Sequence, residues 1–399
     1  MLSLQFRIDY LPFSITDRLT NGKAISIRSD NCSLAAQFYY DFHAEPLILQ
    51  GNIAIGDTVR FTLLPYRIEL YINDKLIDEE WPCGNLIFDY KKNTIAAPFQ
   101  IELVETKPRA AQSPAVISQF NNAEGWKPEE TVFVGDCMPY VHDGRYHVLY
   151  LKDRHHHTSK WGLGAHQWAH ISTCDFDEWQ MHPMAVEITR PWEGSICTGS
   201  WIKNKETEYL FYTIRMADRS AAPICRSIAE DGYHFKKDEQ YSFILPDRYN
   251  KTIARDPKVI KDSHGIFHMI LTTALLAEKK GCLAHLTSED LEHWEDQGPI
   301  YVSDDETQPE CPDYFHLNGW YYLLFSLHTK AYYLYSDKPF TGWKTPADPF
   351  IPCASVPKGA VWEDHVMFTG YQSNDRRCYA GVMTFASAAQ NGNGELLFK

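Results

Sequence analysis

The chain has 399 residues, of which 44% are apolar and 23% charged, and its formal net charge is −14. Length and composition are typical of a globular protein with more than one domain. The acidic balance argues against nucleic acid or an anionic membrane as a partner, because both attract basic surfaces. The aromatic share of 14% favours a β-rich fold and flat stacking surfaces of the kind that sugar sites use.

The ten cysteines are scattered, with no CxxC pair and no metal-finger spacing. This distribution is typical of free thiols in a reducing compartment. The first eight residues lack a basic stretch followed by an apolar run, and no segment reaches the ~18 apolar residues of a membrane helix. We therefore predict a cytoplasmic protein without a membrane partner, whose oligomeric state the sequence does not indicate.

Residues 1–105 consist of short runs in which apolar and polar residues alternate, separated by turn residues. Thr58–Leu64 and Arg67–Ile72 are two such runs, and each predicts a strand with one solvent-exposed face. Asn73 and Asp74 follow the second run and predict a hairpin turn. We expect a β-sandwich that either binds glycans or packs against a catalytic domain, and packing is the more frequent role of such modules.

Residues 106–130 form a polar segment punctuated by prolines, which predicts a linker. Residues 131–399 are self-similar after it. Three units each have a strand that carries an acid, a glycine turn, an aromatic-rich strand, a strand with Ser or Thr and Asp, and then a tryptophan, and two further units are looser copies. The five units begin near Val132, Ile196, Ile253, Pro309 and Val361. Five strand-rich repeats of roughly 40 to 60 residues predict an all-β fold, a five-bladed β-propeller preceded by the β-sandwich domain.

Three acids, Asp136, Asp256 and Glu310, lie at matching positions in the first strands of three units. Because the innermost strands of a propeller surround one channel, acids that are far apart in sequence can converge there. Taken singly, each acid is more easily explained as a hydrogen-bonding residue at a strand end. As a set they match glycoside hydrolysis, which needs one carboxylate as nucleophile or base and one protonated acid. Arg255 would keep its neighbour Asp256 ionised.

At these residues the chain resembles glycoside hydrolase family 32, the β-fructofuranosidases, which belong to a superfamily of five-bladed propellers. The likeness extends from about Val132 to the C-terminus. It includes the Arg-Asp-Pro motif at Arg255-Asp256-Pro257 and the Glu-Cys motif at Glu310-Cys311. Thr198-Gly199-Ser200 is similar to the family's Ser-Gly-Ser substrate-contact segment, and Arg376-Arg377 to its final-blade motif.

The resemblance implies a role for each acid. Asp136 corresponds to the nucleophile, Asp256 to the transition-state stabiliser that holds fructosyl hydroxyls, and Glu310 to the general acid/base of a retaining reaction. In a retaining enzyme the carboxyl groups of Asp136 and Glu310 should lie about 5 to 5.5 Å apart.

Two departures from the family pattern concern the substrate and the domain order. The family's first motif is usually Trp-Met-Asn-Asp-Pro-Asn-Gly, whereas this chain has Phe133-Val-Gly-Asp-Cys-Met-Pro139 and keeps only the aspartate. Gly135 therefore removes a side chain that would touch the sugar. The family also places its β-sandwich after the propeller, while here the sandwich-like segment comes first.

Further residues are predicted to bind the sugar. A loop over the mouth of the channel would contribute Trp161, His166 and Trp168, each tryptophan being explained equally well as a core aromatic. The other predicted substrate-binding residues are Arg255, Thr198, Ser200 and Trp201. The histidines at 155–157 are consecutive, so that neighbours on a strand would point to opposite faces, and no metal site is predicted.

Together these patterns predict a retaining glycoside hydrolase that acts on a furanoside, most simply a β-fructoside, without metal or organic cofactor. The expected partner is a small-molecule carbohydrate substrate. The alternatives are a hydrolase of another glycoside on the same fold, such as an arabinofuranoside or a xyloside, and a non-catalytic propeller that binds carbohydrate.

Overall fold

The computed structural model describes residues 2–399 except 21, 42–44, 65–66, 82–84, 90–93, 107–114, 118–124, 129–131, 155–165, 191, 217, 354 and 374–378. The described residues form thirty strands and no helix, and accordingly no helix that could span a membrane. They fall into two compact units. One holds the described residues up to 106 together with His166 and residues 188–195, and the other holds the rest. The boundaries predicted for the linker stay a prediction.

Ten strands build the first unit. They are β1 (Leu2–Arg7), β2 (Ser14–Asp17), β3 (Ile25–Ser29), β4 (Ser33–Phe38), β5 (Leu47–Asn52), β6 (Thr58–Leu64), β7 (Arg67–Ile72), β8 (Lys75–Glu80), β9 (Ile95–Ala96) and β10 (Glu102–Glu105). One sheet has the order β10-β1-β6-β7-β8 and the other the order β5-β4-β3-β2-β9.

The two sheets bury one shared core, as a β-sandwich does. Phe38 of one sheet meets Phe61 of the other edge to face, with ring centroids 5.4 Å apart. The predicted strands β6 and β7 are confirmed, and so is the hairpin between β7 and β8. Asn73 and Asp74 have φ angles of 50° and 63°, and two left-handed residues are what a two-residue hairpin turn requires.

The second unit consists of five sheets, one strand of which begins with residues 193–195 of the first unit. The first contains β11 (Ala115–Ile117), β12 (Val132–His142), β13 (Arg145–Arg154), β14 (Gln167–Thr173) and β15 (Trp179–Met181), and the second β16 (Glu193–Asn204), β17 (Thr207–Met216), β18 (Ile224–Ala229) and β19 (Lys236–Phe243). The third contains β20 (Arg255–Lys261), β21 (Phe267–Leu275), β22 (Lys280–Ser288) and β23 (Glu295–Val302). The fourth contains β24 (Glu310–Leu317), β25 (Trp320–Leu327) and β26 (Lys330–Ser336), and the fifth β27 (Ser355–Trp362), β28 (His365–Gln372), β29 (Val382–Gln390) and β30 (Leu396–Phe398).

These sheets are the blades of a propeller, and the predicted five-bladed architecture is confirmed. In each blade the strands are antiparallel and follow chain order outward from the innermost strand, except that β11 joins the outer edge of the first blade. Neighbouring blades are in contact, because β12 contacts β27, β24 contacts both β27 and β20, β17 contacts β20, and Trp201 of the second blade stacks on Tyr140 of the first. Val134 and Gly381 also exchange two backbone hydrogen bonds of 2.9 Å between the first and fifth blades.

The fifth blade begins earlier than the repeat pattern predicts. Its innermost strand, β27, begins at Ser355 rather than near Val361. The strand carries a proline, a buried lysine and a glycine in its middle, so that its sequence lacks the apolar alternation by which a strand is recognised. The buried ammonium group of Lys358 nevertheless has a hydrogen-bond partner. It donates a hydrogen bond of 3.1 Å to the Gly199 carbonyl of the second blade.

Candidate active site

The three predicted acids all lie at β-bulges near the beginning of innermost strands. The pairing register shifts between Val134 and Cys137 on β12, between Arg255 and Lys258 on β20, and between Glu310 and Asp313 on β24. A bulge re-aims one side chain and is frequent beside active sites. Asp256 itself has a φ of 59°, which is uncommon for a residue with a Cβ and is maintained only where surrounding contacts enforce it.

Cys311 joins the aspartates of the first and third blades. Its Sγ lies 3.4 Å from Asp136 Oδ2 and 3.6 Å from Asp256 Oδ2. Its backbone N–H donates to Asp256 Oδ2 at 3.1 Å. Both carboxylates are 2% exposed, and a buried carboxylate is tolerated only where donors surround it. The cysteine after Glu310 therefore holds the two aspartates next to each other.

Arg255 links Asp256 to Glu310. Its Nη2 donates to Glu310 Oε1 at 2.8 Å, and its Nε lies 3.6 Å from Asp256 Oδ2. Burial by itself would lower the pKa of Arg255, but the charges of Asp256 and Glu310 raise it above its ordinary value. The guanidinium is therefore a fixed positive charge between two acids. Glu310 is the accessible member of the set, with 36% of its side chain exposed.

Tyr379 holds Asp136 in place from the fifth blade. Its hydroxyl donates to Asp136 Oδ1 at 2.9 Å and accepts from the Asp136 backbone N–H at 3.1 Å. Burial raises the pKa of Tyr379, and the charge of Asp136 raises it further, so the phenol keeps the proton that it donates. A Cβ on Gly135 would come closer than 3.0 Å to the Tyr379 hydroxyl. The glycine that departs from the family motif thus makes room for this tyrosine.

A cavity of about 830 Å³ opens beside Glu310. Arg255, Glu310, Tyr371, His328 and Lys330 are among the residues that line it. Such a volume is in the range of small-molecule sites. The cavity lies where the exposed carboxyl of Glu310 can meet a ligand.

Thr198 and Ser200, on β16, both contact the third blade, but in different ways. Thr198 is fully buried and its hydroxyl donates to Asp256 Oδ1 at 2.6 Å, so it belongs to the acid cluster. The Ser200 hydroxyl donates to the Pro257 carbonyl at 3.0 Å and accepts from the Val259 N–H at 2.8 Å. Ser200 therefore fastens β16 to β20, and both of its bonds are to the backbone.

Trp168 and Trp201, the two predicted aromatic sugar contacts among the described residues, are not brought to the acids. Trp168 has no exposed surface, and its indole N–H donates to the Cys197 carbonyl at 3.0 Å. Trp201 stacks on Tyr140, with ring centroids 4.4 Å apart, and donates to Glu208. Trp168 is a core residue, because large apolar side chains are usually buried away from water. Neither tryptophan is carried into the functional proposal.

The remaining predicted residues lie elsewhere. His166 is fully buried, and its Nδ1 lies 3.4 Å from the Ser195 hydroxyl, so it has no open face for a sugar. Trp161, the histidines at 155–157 and Arg376-Arg377 lie outside the described residues. The separation of 5 to 5.5 Å between Asp136 and Glu310 stays a prediction.

Two members of the cluster, Tyr379 and Cys311, are not predicted from the sequence. Tyr379 lies 243 residues beyond its partner Asp136, and only the replacement at Gly135 hinted that another side chain fills that space. Cys311 was noted as a neighbour of Glu310, yet its contacts are with the two aspartates. The thiol of Cys137, in contrast, is no candidate nucleophile, because burial and the adjacent Asp136 raise its pKa well above the ordinary value.

Comparison with solved structures supports the fold. The chain is similar to fructan 1-exohydrolase IIa from Cichorium intybus, with a TM-score of 0.58 and 15% identity over 71% of this chain and 61% of that one. It is also similar to a sucrose-6-phosphate hydrolase from Lactobacillus gasseri, with a TM-score of 0.54 and 14% identity over 67% and 62% of the two chains.

Sequence comparison points to the same family. A sucrose-6-phosphate hydrolase from Vibrio alginolyticus is 27% identical over 192 residues, which is 45% of this chain and 38% of that protein. The chain thus covers little more than a third of that relative's length. The family model described as the glycosyl hydrolases family 32 N-terminal domain matches residues 136–384. That range begins at Asp136, contains Asp256, Glu310 and Tyr379, and covers more than half of the sequence, so the chain belongs to glycosyl hydrolases family 32.

Proposed function

We propose that this protein is a retaining glycoside hydrolase that cleaves a β-fructoside. The observation that carries the proposal is the convergence of Asp136, Asp256 and Glu310 around Cys311 and Arg255 in a chain of this family. Asp136 is the nucleophile, Glu310 the general acid/base and Asp256 the residue that holds the sugar. The reaction uses two carboxylic side chains in two successive steps.

In the first step, Asp136 attacks the anomeric carbon of the fructosyl unit. A carboxylate oxygen forms a bond to that carbon while the bond to the leaving oxygen breaks, and Glu310 gives its proton to the leaving oxygen. In the second step, Glu310 takes a proton from water, and the water oxygen replaces Asp136 on the same carbon. Glu310 is the exposed acid of the set, and it is the one that has to meet the attacking water.

Asp256 is held ready to accept hydrogen bonds from sugar hydroxyls. Thr198 donates to one of its oxygens and the Cys311 N–H to the other, so the orientation of the carboxylate is set before a ligand arrives. Each carboxylate oxygen can accept more than one hydrogen bond. A preorganised acceptor costs no rearrangement when the transition state forms.

Tyr379 orients the nucleophile, and its removal should slow the reaction. We expect Tyr379→Phe to lower kcat/KM about 10- to 100-fold, because a hydrogen bond to a charged group contributes about 1.5–3 kcal/mol and about 1.4 kcal/mol corresponds to tenfold. Steady-state kinetics measures the change, with the loss expected mainly in kcat.

Tyr146→Phe is the matched control for that measurement. The Tyr146 hydroxyl lies 2.6 Å from that of Thr369 and contacts none of the three acids, so its loss should leave kcat/KM nearly unchanged. An equal effect of both substitutions would contradict the positioning role of Tyr379.

The substrate is tested by a product screen with the full chain. Sucrose, sucrose 6-phosphate, inulin, levan, arabinofuranosides and xylosides are incubated with the protein and the products separated by chromatography. The phosphorylated sugar belongs in the panel because of the relatives' names and because Lys330 and His328 line the cavity. We expect fructose from at least one β-fructoside, initially as the β anomer by NMR.

Other outcomes of the screen decide against the proposal. Products from arabinofuranosides or xylosides alone would replace the fructoside by another glycoside. Sugar binding without any turnover would indicate a non-catalytic propeller.

The cytoplasmic location stays a prediction. The eight cysteines among the described residues are free thiols.

A further inference from the structure

Three buried histidines meet in the first blade, on a face that the proposed reaction does not use. His147, His170 and His182 are 4%, 0% and 6% exposed. One ring nitrogen from each lies within 4.8 Å of the other two, and His147 Nδ1 is 3.0 Å from His170 Nε2. The ring centroids of the three pairs are 4.4, 5.2 and 6.3 Å apart. The three imidazoles thus form one buried cluster.

Strand register brings these side chains to one face. His147 on β13 pairs with Ser172 on β14, and His170 precedes Ser172 by two residues, so both histidines point to the same side of the sheet. The backbone N–H of His182, just after β15, donates to the His170 carbonyl at 2.9 Å. Three adjacent segments of one blade therefore each supply one imidazole.

The third blade contains the same pair of histidines, but no third histidine joins them among the described residues. His268 follows Gly265 by three residues, as His147 follows Gly144, and its Nδ1 lies 2.9 Å from His285 Nε2. Phe340 stacks on His268 there, with centroids 3.8 Å apart. The pair is therefore a packing feature of the repeat.

The third histidine is what distinguishes the first blade. His182 follows Trp179 by three residues, and the residue at the same distance after Trp294 in the third blade is Gln297. The Gln297 side-chain amide donates to the Thr287 hydroxyl at 2.9 Å. Packing of the repeat explains two imidazoles but not the third.

Burial disfavours the charged form of all three rings. Burial lowers the pKa of His147 to about 3 and of His182 to about 4, and it lowers that of His170 well below its ordinary value. A neutral imidazole has one N–H and one lone pair. His170 Nδ1 is buried and has no hydrogen-bond partner among the described residues. Unprotonated, clustered imidazoles are the ligands that zinc and related divalent metals prefer.

One pair of rings already has nearly the spacing of a metal site. Zinc–nitrogen bonds of about 2.0–2.1 Å place two nitrogens on a tetrahedral ion roughly 3.4 Å apart. The His147–His170 pair is already near this value. The Tyr140 hydroxyl, 3.3 Å from His170 Nε2, lies where it can supply a fourth ligand or hydrogen-bond a water that does.

Two charges near the cluster affect the binding of a cation in opposite directions. The carboxylate of Glu208 is near enough to Tyr140 to raise its pKa, although burial contributes more, and this negative charge favours a cation. The guanidinium of Arg145 disfavours one, but its Nε donates to the Ser172 hydroxyl at 3.0 Å, and that hydroxyl in turn lies 2.7 Å from His182 Nε2. The hydroxyl therefore separates Arg145 from the ring.

We propose that His147, His170 and His182 bind one zinc-class divalent cation, which holds β13, β14 and the segment after β15 together. The ion has no part in the hydrolytic step, whose acids come from the beginnings of innermost strands. Zinc binding and sugar cleavage can therefore succeed or fail separately.

The test uses the untagged full chain after treatment with a chelator. Zinc chloride is titrated by calorimetry, cobalt chloride is followed by its visible absorption, and thermal unfolding is recorded with and without zinc. We expect one equivalent of zinc, a cobalt spectrum typical of tetrahedral coordination, and a thermal midpoint several degrees higher with zinc, because a ligand of the folded state stabilises it.

The chain has 17 histidines, so two variants decide whether this cluster is the site. His182→Gln introduces the residue of the third blade and should weaken zinc binding by about 100-fold or more, since loss of a ligand costs at least what loss of its outer-shell partner does. His285→Gln, in the two-histidine blade, should bind like the natural chain. Absence of saturable binding in the natural chain, or equal binding by His182→Gln, would overturn the proposal.

Discussion

Replacing Asp136 by Asn is expected to lower kcat/KM by about three orders of magnitude or more. An amide oxygen is a poor nucleophile and cannot form the glycosyl ester that the first step requires. The fold should not change, because Asn has the same shape and its oxygen can still accept the hydrogen bond that Tyr379 donates to Asp136 Oδ1. Steady-state kinetics on the substrate found by the product screen measures the loss.

Mass spectrometry of acid-quenched protein adds a direct reading of the same step. The natural chain should carry one added fructosyl unit during turnover, and the Asp136→Asn chain should carry none. Asp290→Asn is the control, because Asp290 accepts hydrogen bonds from backbone N–H groups in the turn after β22 and its replacement should leave turnover unchanged. Turnover near the natural rate in Asp136→Asn would show that another residue is the nucleophile.

Replacing Glu310 by Gln is expected to lower kcat/KM by about 10²- to 10⁴-fold, the usual contribution of general acid–base catalysis. The loss should be smaller for fructosides with an acidic leaving group, because such a group departs without a proton. The amide can still accept from Arg255, which now contacts Glu310 Oε1 at 2.8 Å, so the geometry of the site should be retained.

Added azide distinguishes the roles of the two acids. It is an anionic nucleophile that needs no general base, so it should restore turnover of activated substrates in Glu310→Gln and yield a fructosyl azide. It should not do so by the same route in Asp136→Asn, which cannot form the covalent intermediate. If azide failed in both variants while a good leaving group still gave product, a retaining mechanism with Glu310 as base would be wrong.

Much of the fold follows from local patterns. The strands β6 and β7 and the Asn73-Asp74 turn were predicted with their boundaries because alternation and turn chemistry are properties of neighbouring residues. The repeat of polar strand, glycine turn and aromatic strand was sufficient for the propeller. The strand β27 was missed because Lys358 is buried by a partner in another blade, and nothing near it in sequence shows that partner.

The candidate site was predicted only in part for the same reason. Asp136, Asp256 and Glu310 could be selected because the repeat aligns them, and the structure joins them through Cys311 and Arg255. Trp168 was selected on its residue type, but its burial depends on which blade covers it. The His147, His170 and His182 cluster went unnoticed because its members are separated by 23 and 12 residues in sequence and meet only through strand register.

The sequence by itself determined the strand-rich architecture and the blade repeat and selected the three acids for the proposed site, since each depends on residue types at short, regular spacing. Only the tertiary structure decided that Tyr379 holds Asp136, that Cys311 contacts both aspartates, and that three imidazoles of the first blade form one cluster. These contacts join residues from different strands or blades, and the bulges and register that aim them are set by packing over the whole ring.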